Sequence, residues 1–341
     1  MSTDDLLDAT VLIATYNRAA LLHETLESLA RMRVREGRTW ELIVVDNNSS
    51  DDTRAVVERW APNFPVPLRY VFEGRQGRSS ALNTGITVAR GRVLAFTDDD
   101  VQVAAGWLDA ACDALGSEDA TLAYAGGPVR PIWEAPPPPW LDPVRGDLWG
   151  TIAIQDHGQE SFVYEERRRV PLGANMATRR EFFETVGSFQ ADLGRSSGNI
   201  VLGQEVPELL MRARQAGLRG LYVPAMEVHH HVPARRLTPA YFRKWWFGKG
   251  VSRAALERMQ PVTENGVDLR RVPHLLRVPR HLYGAALRHA TGWLNATGRR
   301  QLPEAFRCQM MLAYFCGYFW ARRREGSSER AGLAPAARPS A

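Results

Sequence analysis

Short apolar runs alternate with helical spacings over the first third of the chain. Thr10-Val-Leu-Ile-Ala14 is continuous and stops at polar Thr15-Tyr-Asn17, which predicts a buried strand. Leu21, Leu22, Thr25, Leu26 and Leu29 then recur at helical spacing. Glu41-Leu-Ile-Val-Val45 predicts a second strand, ended by Asp46-Asn-Asn-Ser-Ser50, and Asp51 or Asp52 is placed to cap a helix carrying Val56, Val57 and Trp60. Leu68-Arg-Tyr-Val-Phe72 reads as a third strand, Ser79 to Arg90 as a helix, Val93-Leu-Ala-Phe96 as a fourth strand and Gly106 to Leu115 as a helix. This alternation predicts an α/β fold, a mostly parallel sheet with right-handed crossovers. Near-continuous apolar strands fit a sheet covered on both faces.

From Pro131 to Gly150 the pattern breaks, with Pro136-Pro-Pro-Pro139 and three tryptophans, Trp133, Trp140 and Trp149. Pro171-Leu-Gly-Ala-Asn-Met-Ala177 resumes as strand-like, a helix follows from about Arg179 to Val186, and Glu205 to Gly217 reads as another. Arg219-Gly-Leu-Tyr-Val223 and Met226-Glu-Val-His-His230 read as short strands. Beyond Pro239 the chain turns helical and basic, and Ser327 to Ala341 has the small-residue composition of a disordered tail. The expected organisation is a catalytic domain over 1–232 (halves 10–125 and 126–232), a basic helical extension over 233–325 and a tail over 326–341.

The length of 341 residues suits one or two domains, and 45% hydrophobic with 24% charged residues excludes wholesale disorder. Three cysteines build no disulfide framework; Cys308 and Cys316 would stand about 12 Å apart on a helix. The acidic start and the absence of an apolar run of ~18 residues predict neither a secretory signal nor a plain transmembrane helix, so a reducing, cytoplasmic setting is expected. The net charge of +5 conceals a split: −9 over residues 1–232 and +13 over 233–325. A basic third on an acidic body points to an anionic partner, nucleic acid or an anionic membrane surface. No nucleic-acid motif accompanies the charge, and a solvated arginine-rich surface is the alternative to a partner. Ala305 to Trp320, with Trp245, Trp246, Phe247, Trp293 and the flanking Arg322-Arg-Arg324, reads as interfacial helices peripheral to the membrane; packing against the rest of the protein is the alternative.

Candidate chemistry gathers at strand ends, where open parallel sheets bind ligands. Three polar clusters fall there: Thr15-Tyr-Asn17, Asp46-Asn-Asn48 and Asp98-Asp-Asp100. Three adjacent carboxylates repel each other unless neutralised, and hard oxygen donors suit Mg2+ or Mn2+. Mg2+ takes one or two carboxylates together with substrate phosphates, which implies a diphosphate. A helix cap with a first-turn acid cluster is the alternative reading.

Four segments together resemble the successive motifs of family 2 glycosyltransferases, which have the GT-A fold: Val11-Leu-Ile-Ala-Thr-Tyr-Asn-Arg18, Glu41 to Asp46 with Ser50-Asp-Asp-Thr53, Gly77-Arg-Ser-Ser-Ala-Leu-Asn-Thr-Gly85 and Phe96-Thr-Asp-Asp-Asp100. The resemblance implies a Rossmann-like nucleotide-binding sheet with an acceptor-side half. It places Thr15, Tyr16, Asn17, Arg18, Asp46, Arg78, Asn83, Asp98 and Asp99 on the nucleotide side, Asp99 being the least important, and Asp100 and His230 on the metal. Glu205 matches the first acid of a family Glu-Asp pair, and Val206 stands where the second, usually the base, is expected; Glu205 is therefore the first candidate base and Glu208 the second. Trp133, Trp140 and Asn175 are acceptor-side candidates, with Gly173-Ala-Asn-Met176 leaving room for a sugar. The implied activity is inverting, metal-dependent hexosyl or N-acetylhexosaminyl transfer from a nucleotide-diphosphate sugar, UDP favoured, to a saccharide or lipid-linked acceptor. A sugar-nucleotide pyrophosphorylase would need a Gly-rich loop where Thr15-Tyr-Asn-Arg-Ala19 stands. A non-catalytic binding protein of the same fold is kept open by Val206.

Overall fold

Strand β1 (Leu7–Thr15) hydrogen-bonds in parallel to β2 (Trp40–Asp46) on one side and β4 (Gly91–Asp98) on the other, with β3 (Leu68–Phe72) parallel outside β2. The structure is a computed structural model describing residues 6–142, 146–165, 169–191, 203–261 and 267–331. Helices α1 (Ala19–Ala30), α2 (Thr53–Trp60) and α3 (Arg78–Val88) make the crossovers, as the apolar spacing predicts. The sheet continues through β9 (Asn175–Arg179), β6 (Leu122–Gly126), β10 (Arg219–Tyr222) and β8 (Phe162–Val163), eight strands in the order β3-β2-β1-β4-β9-β6-β10-β8. β9 runs antiparallel to both β4 and β6. Strand direction depends on how the long excursion before Pro171 returns to the sheet, which side-chain pattern does not encode. The core beneath this sheet joins Leu12, Ile43, Val45, Leu94, Phe96 and Met176 to Leu82, Phe182 and Leu209 from α3, α5 (Glu181–Val186) and α6 (Glu205–Gln215).

A second, three-stranded sheet has the order β5-β11-β7, from β5 (Val101–Val103), β11 (Val228–Val232) and β7 (Val129–Trp133). β5 is too short to show a period, and Pro131, which lacks an N–H, disguises β7, an edge strand where proline is tolerated. β5 leads into α4 (Trp107–Leu115).

Far from the rim of polar clusters, Glu41 is fully buried. Its Oε1 accepts from Thr10 Oγ1 at 3.0 Å and the Arg90 N–H at 2.8 Å, and its Oε2 accepts from Arg69 Nη1 at 3.1 Å and Arg90 Nη2 at 3.1 Å. Burial alone would raise its pKa, but these hydrogen bonds hold it below the ordinary value. A depressed carboxylate contributes stability above its unfolded pKa and loses it as pH falls through the folded one. Glu41→Gln is expected to cost about 3 kcal/mol at neutral pH. The difference from wild type in urea titrations should shrink below about pH 4.5; a pH-independent penalty would show that the charge contributes nothing.

A second compact unit begins at Thr238 and includes Pro138–Asp142. Its elements are α7 (Pro239–Met259), β12 (His274–Leu275), β13 (Val278–Pro279), α8 (Arg280–Gly298) and α9 (Leu302–Ala331). Thr238 caps α7, its side chain accepting from the Tyr241 N–H at 3.3 Å, and Pro239 takes the first turn, where a missing N–H costs nothing. α7 and α9 cross through glycines: a Cβ on Gly250 would lie 2.0 Å from the Tyr314 carbonyl, and one on Gly317 2.0 Å from the Phe247 carbonyl. Some of the aromatics expected to form interfacial faces pack here, while Trp245, Phe247 and Trp293 are half-buried and Trp320 is exposed. Phe242, Trp246, Phe306, Phe315 and Tyr318 are buried, and Trp140 lies 5.0 Å from Phe242 and 4.1 Å from Phe306, ring centre to ring centre. α9 runs to Ala331, so residues 326–331 of the expected tail are helical; 332–341 lie outside the described residues. No described helix is long and apolar enough to cross a membrane.

Candidate active site

Parallel register aligns the ends of three strands. Thr15 pairs with Asp46, and Ala14 pairs with Asp98, so the three predicted polar clusters share one rim. Each apolar run ends where its strand leaves the core, and the next side chains are free to be polar.

On the β2 side, Asp46 accepts from the Ser49 N–H at 2.9 Å and from Tyr70 Oη at 2.7 Å. Burial, then the bond to Asp46, pushes the Tyr70 phenol up to about 12. Arg54 lies over the Tyr70 ring at 5.5 Å. Asn17 takes a left-handed φ of 51° and accepts from the Ser50 N–H at 2.7 Å, which ties the end of β1 to the loop after β2. Tyr16 beside it is exposed. Asn47, buried, accepts from the Gly77 N–H at 2.7 Å and donates to the Arg75 carbonyl at 2.7 Å, ordering the loop that starts α3. Sequence reasoning saw Asn47 only as part of a polar cluster.

The three carboxylates have three different surroundings. Asp98 accepts from Arg78 Nη2 at 2.7 Å. Burial would raise its pKa, but Arg78 overrides this and holds it below the ordinary value. Asp99 accepts from Thr15 Oγ1 at 2.7 Å and from Arg18 Nη1 at 2.8 Å. Burial pushes its carboxyl up to about 6 against the pull of Arg18, with Asp100 adding to the rise. Asp99 thus holds Thr15 and Arg18 in place. Asp100 accepts from Arg18 Nη1 at 2.9 Å through Oδ2, which also lies 3.7 Å from Arg236 Nη2. Its Oδ1 lies 3.4 Å from His230 Nε2. Burial would raise the Asp100 pKa, yet His230, Arg18 and Arg236 hold it well below the carboxylate range.

His230 reaches the site because β5 and β11 pair in register, His230 opposite Val101, and the His231 N–H donates to the Asp100 carbonyl at 2.9 Å. Side chains alternate along β11, so His230 is buried while His229 and His231 are not. Arg236 is buried and approaches His230 Nε2 at 3.3 Å. Nothing in the sequence near Arg236 marks it, because its partner Asp100 lies far back along the chain.

Asp100 Oδ1 is buried and makes no well-aligned hydrogen bond, with His230 Nε2 standing 3.4 Å away. Among the described residues no three His, Cys, Asp or Glu side chains converge into a full metal cage. A Mg2+ or Mn2+ ion shared with a diphosphate needs only one or two protein carboxylates, and Asp100 with His230, beside Asp98, fits that requirement.

Glu205, the first residue of α6, is buried; its Oε1 lies 3.8 Å from Arg78 Nη1, and its Oε2 has no hydrogen-bond partner. One guanidinium thus stands between Asp98 and Glu205. Arg78 also donates to the Gly173 carbonyl at 3.0 Å. A Cβ on Gly173 would lie 3.1 Å from Arg78 Nη1, so this small residue makes room for the arginine and not for a sugar. Val206 is buried in the sheet's core. Glu208 differs from Glu205: Arg212 donates to both its oxygens, at 2.8 and 2.7 Å, a clamp within α6.

Three further candidates serve the fold. Asn83 exchanges hydrogen bonds with the Phe189 backbone at 2.9 and 3.0 Å. Asn175 is fully buried, accepting from Trp107 Nε1 at 2.8 Å and donating to the Pro128 and Met226 carbonyls at 3.0 and 2.5 Å, which leaves nothing for an acceptor. Trp140 belongs to the helical unit's aromatic core. Trp133 keeps an accessible face, edge-on to Trp149 at 6.4 Å.

The glycosyl transferase family 2 model matches residues 10–187. The succinoglycan biosynthesis protein ExoM of Rhizobium meliloti is 30% identical over 245 residues, 72% of this chain and 73% of that protein. The glucosyl-dolichyl phosphate glucuronosyltransferase of Haloferax volcanii is 26% identical over 263 residues, 75% of this chain and 79% of that protein. In fold, the chain is similar to a mannosyltransferase of Pyrobaculum calidifontis solved with GDP-mannose and Mn2+, at a TM-score of 0.58 and 21% identity, covering 95% of this chain and 88% of the other. It is also similar to GalNAc-T7 solved with UDP, GalNAc and Mn2+, at a TM-score of 0.53 and 18% identity, covering 76% and 52%.

Proposed function

The chain belongs to glycosyl transferase family 2, and from that premise we propose that it transfers a hexosyl or N-acetylhexosaminyl group from a nucleotide-diphosphate sugar to an acceptor hydroxyl, with inversion. The observation that carries this reading is a pair of buried carboxylate oxygens without well-aligned hydrogen bonds, Asp100 Oδ1 and Glu205 Oε2, on two acids joined to one arginine-rich rim. A buried carboxylate oxygen short of a hydrogen bond is costly even in an ion-paired acid, and such groups are retained where a ligand completes them.

Glu205 takes the proton of the acceptor hydroxyl as that oxygen bonds to the anomeric carbon and the bond from that carbon to the phosphate oxygen breaks. The nucleoside diphosphate leaves on the opposite face. Arg78 holds Glu205 and Asp98 in fixed relation. Asp46 and Tyr70 border the nucleotide base, and a uridine nucleotide is the favoured donor. Asp100, His230 and Asp98 would hold a Mg2+ or Mn2+ ion, which supplies charge neutralisation for the departing diphosphate. Trp133 and Trp149 offer apolar faces to the acceptor sugar. The names of the two relatives support a role in polysaccharide or lipid-linked glycan synthesis; our reading puts that role at the cytoplasmic face of the membrane.

A thermal-shift screen of nucleotide sugars with and without Mn2+ tests the reading. The matching donor at a hundred times its Kd should add about 2.7 kcal/mol of stability, and only with the ion present. No stabilisation by any uridine, guanosine or thymidine donor would reject a donor site; stabilisation without turnover on any acceptor would favour a binding protein.

A further inference from the structure

The helical unit carries an exposed surface that the transferase reading does not use. β12 and β13 pair His274 with Pro279 and Leu275 with Val278, and the two-residue turn between them is Leu276-Arg277. Both turn residues are left-handed, with φ of 49° and 67°. Turns of this kind favour asparagine and glycine, which tolerate positive φ. Here the turn places a leucine and an arginine at the tip against that preference. Leu275 and Leu276 are 52% and 62% exposed.

The tip is held firmly. Val278 is buried in the unit's core, Tyr283 Oη donates to the Leu275 carbonyl at 3.0 Å, and the Tyr283 ring stacks on Phe319 at 5.0 Å. Along α8, Leu287 and Leu294 are 65% and 66% exposed, and their spacing of seven puts them on one face. Residues 267–302 contain seven arginines and one acid, Asp268, which Arg270 already engages at 2.9 Å.

We propose that the β12–β13 tip and the outer face of α8 dock on an anionic phospholipid surface. Leucines displayed beside arginines match a bilayer interface, where apolar side chains enter and guanidinium groups meet phosphates. A second copy of the chain would bring seven arginines against seven. Nucleic acid would leave the leucines in water. The surface lies on a membrane and does not cross one, in keeping with the absence of a spanning helix among the described residues.

The test is sedimentation of the full chain with vesicles of phosphatidylglycerol and phosphatidylcholine, against pure phosphatidylcholine. Wild type should bind the anionic vesicles at low salt and release in high salt. Leu275→Ser/Leu276→Ser and Leu287→Ser/Leu294→Ser should each weaken partitioning about tenfold or more with unchanged melting. If a leucine pair proves to affect folding, Arg280→Glu/Arg288→Glu, at two exposed arginines of α8, is the replacement, expected to lose anionic vesicles by about tenfold. Asp100→Ala should bind vesicles as wild type does, so docking and transfer fail independently. The proposal is overturned if wild type ignores anionic vesicles at low salt, if the variants sediment like wild type, or if the leucines prove to hold a dimer or bound DNA in place of lipid.

Discussion

Asp100→Ala is expected to abolish transfer, by at least ~10³-fold, together with all metal-dependent nucleotide binding. The reason lies in how differently the three carboxylates are used. Asp98 is taken by Arg78, and Asp99 by Thr15 and Arg18, while Asp100 alone presents a buried oxygen with no well-aligned hydrogen bond. Calorimetric titration of the nucleoside diphosphate with and without Mn2+ is the direct measurement. Wild type should show ion-dependent affinity and the variant none. Removing the carboxylate leaves Arg18, His230 and Arg236 facing one another, so Asp100→Asn is the companion variant, keeping the shape and dipole while losing the charge. Undiminished Mn2+-dependent binding in both variants would end the assignment of the ion to Asp100.

Glu205→Gln should separate chemistry from binding. The amide keeps the volume and the contact with Arg78 but cannot take a proton. The expected loss is ~10²–10⁴-fold in kcat, with donor affinity close to wild type. Glu208→Gln is its counterpart: it breaks the clamp on Arg212, which also reaches the Val186 and Ser188 carbonyls, and should lower Tm while leaving kcat in the folded protein nearly unchanged. Two acids three residues apart on one helix thus receive opposite expectations. Equal kcat for Glu205→Gln and wild type would remove Glu205 as the base and return the search to another acid on the acceptor side.

Much of this site is legible along the chain because strand ends are local events. An apolar run that stops at Thr15, Asp46 or Asp98 announces where backbone leaves the core, and parallel strands then bring the stops together. Side-chain alternation likewise singles out His230 from its two neighbours. Asn83, Asn175, Glu208 and Trp140 share another character. Each is polar or amphipathic, lies in or near a motif, and is engaged inside the protein, Asn83, Asn175 and Trp140 by partners on other segments and Glu208 by Arg212 one turn on in its own helix. Phe189 is distant from Asn83 in sequence, as Trp107 is from Asn175, and no periodicity records those meetings.

The amino-acid order alone determined the alternation of strands and helices, the rim on which the polar clusters converge and the kind of chemistry three adjacent carboxylates can do. These follow from burial period and charge, which act over a few residues. Tertiary structure decided which carboxylate stays open, which glutamate can accept a proton and which apolar groups of the basic helices face water. Those outcomes depend on long-range partners, Arg18, Arg78 and Arg236 among them, because a guanidinium's choice of carboxylate is settled by distance in space and not by position along the chain.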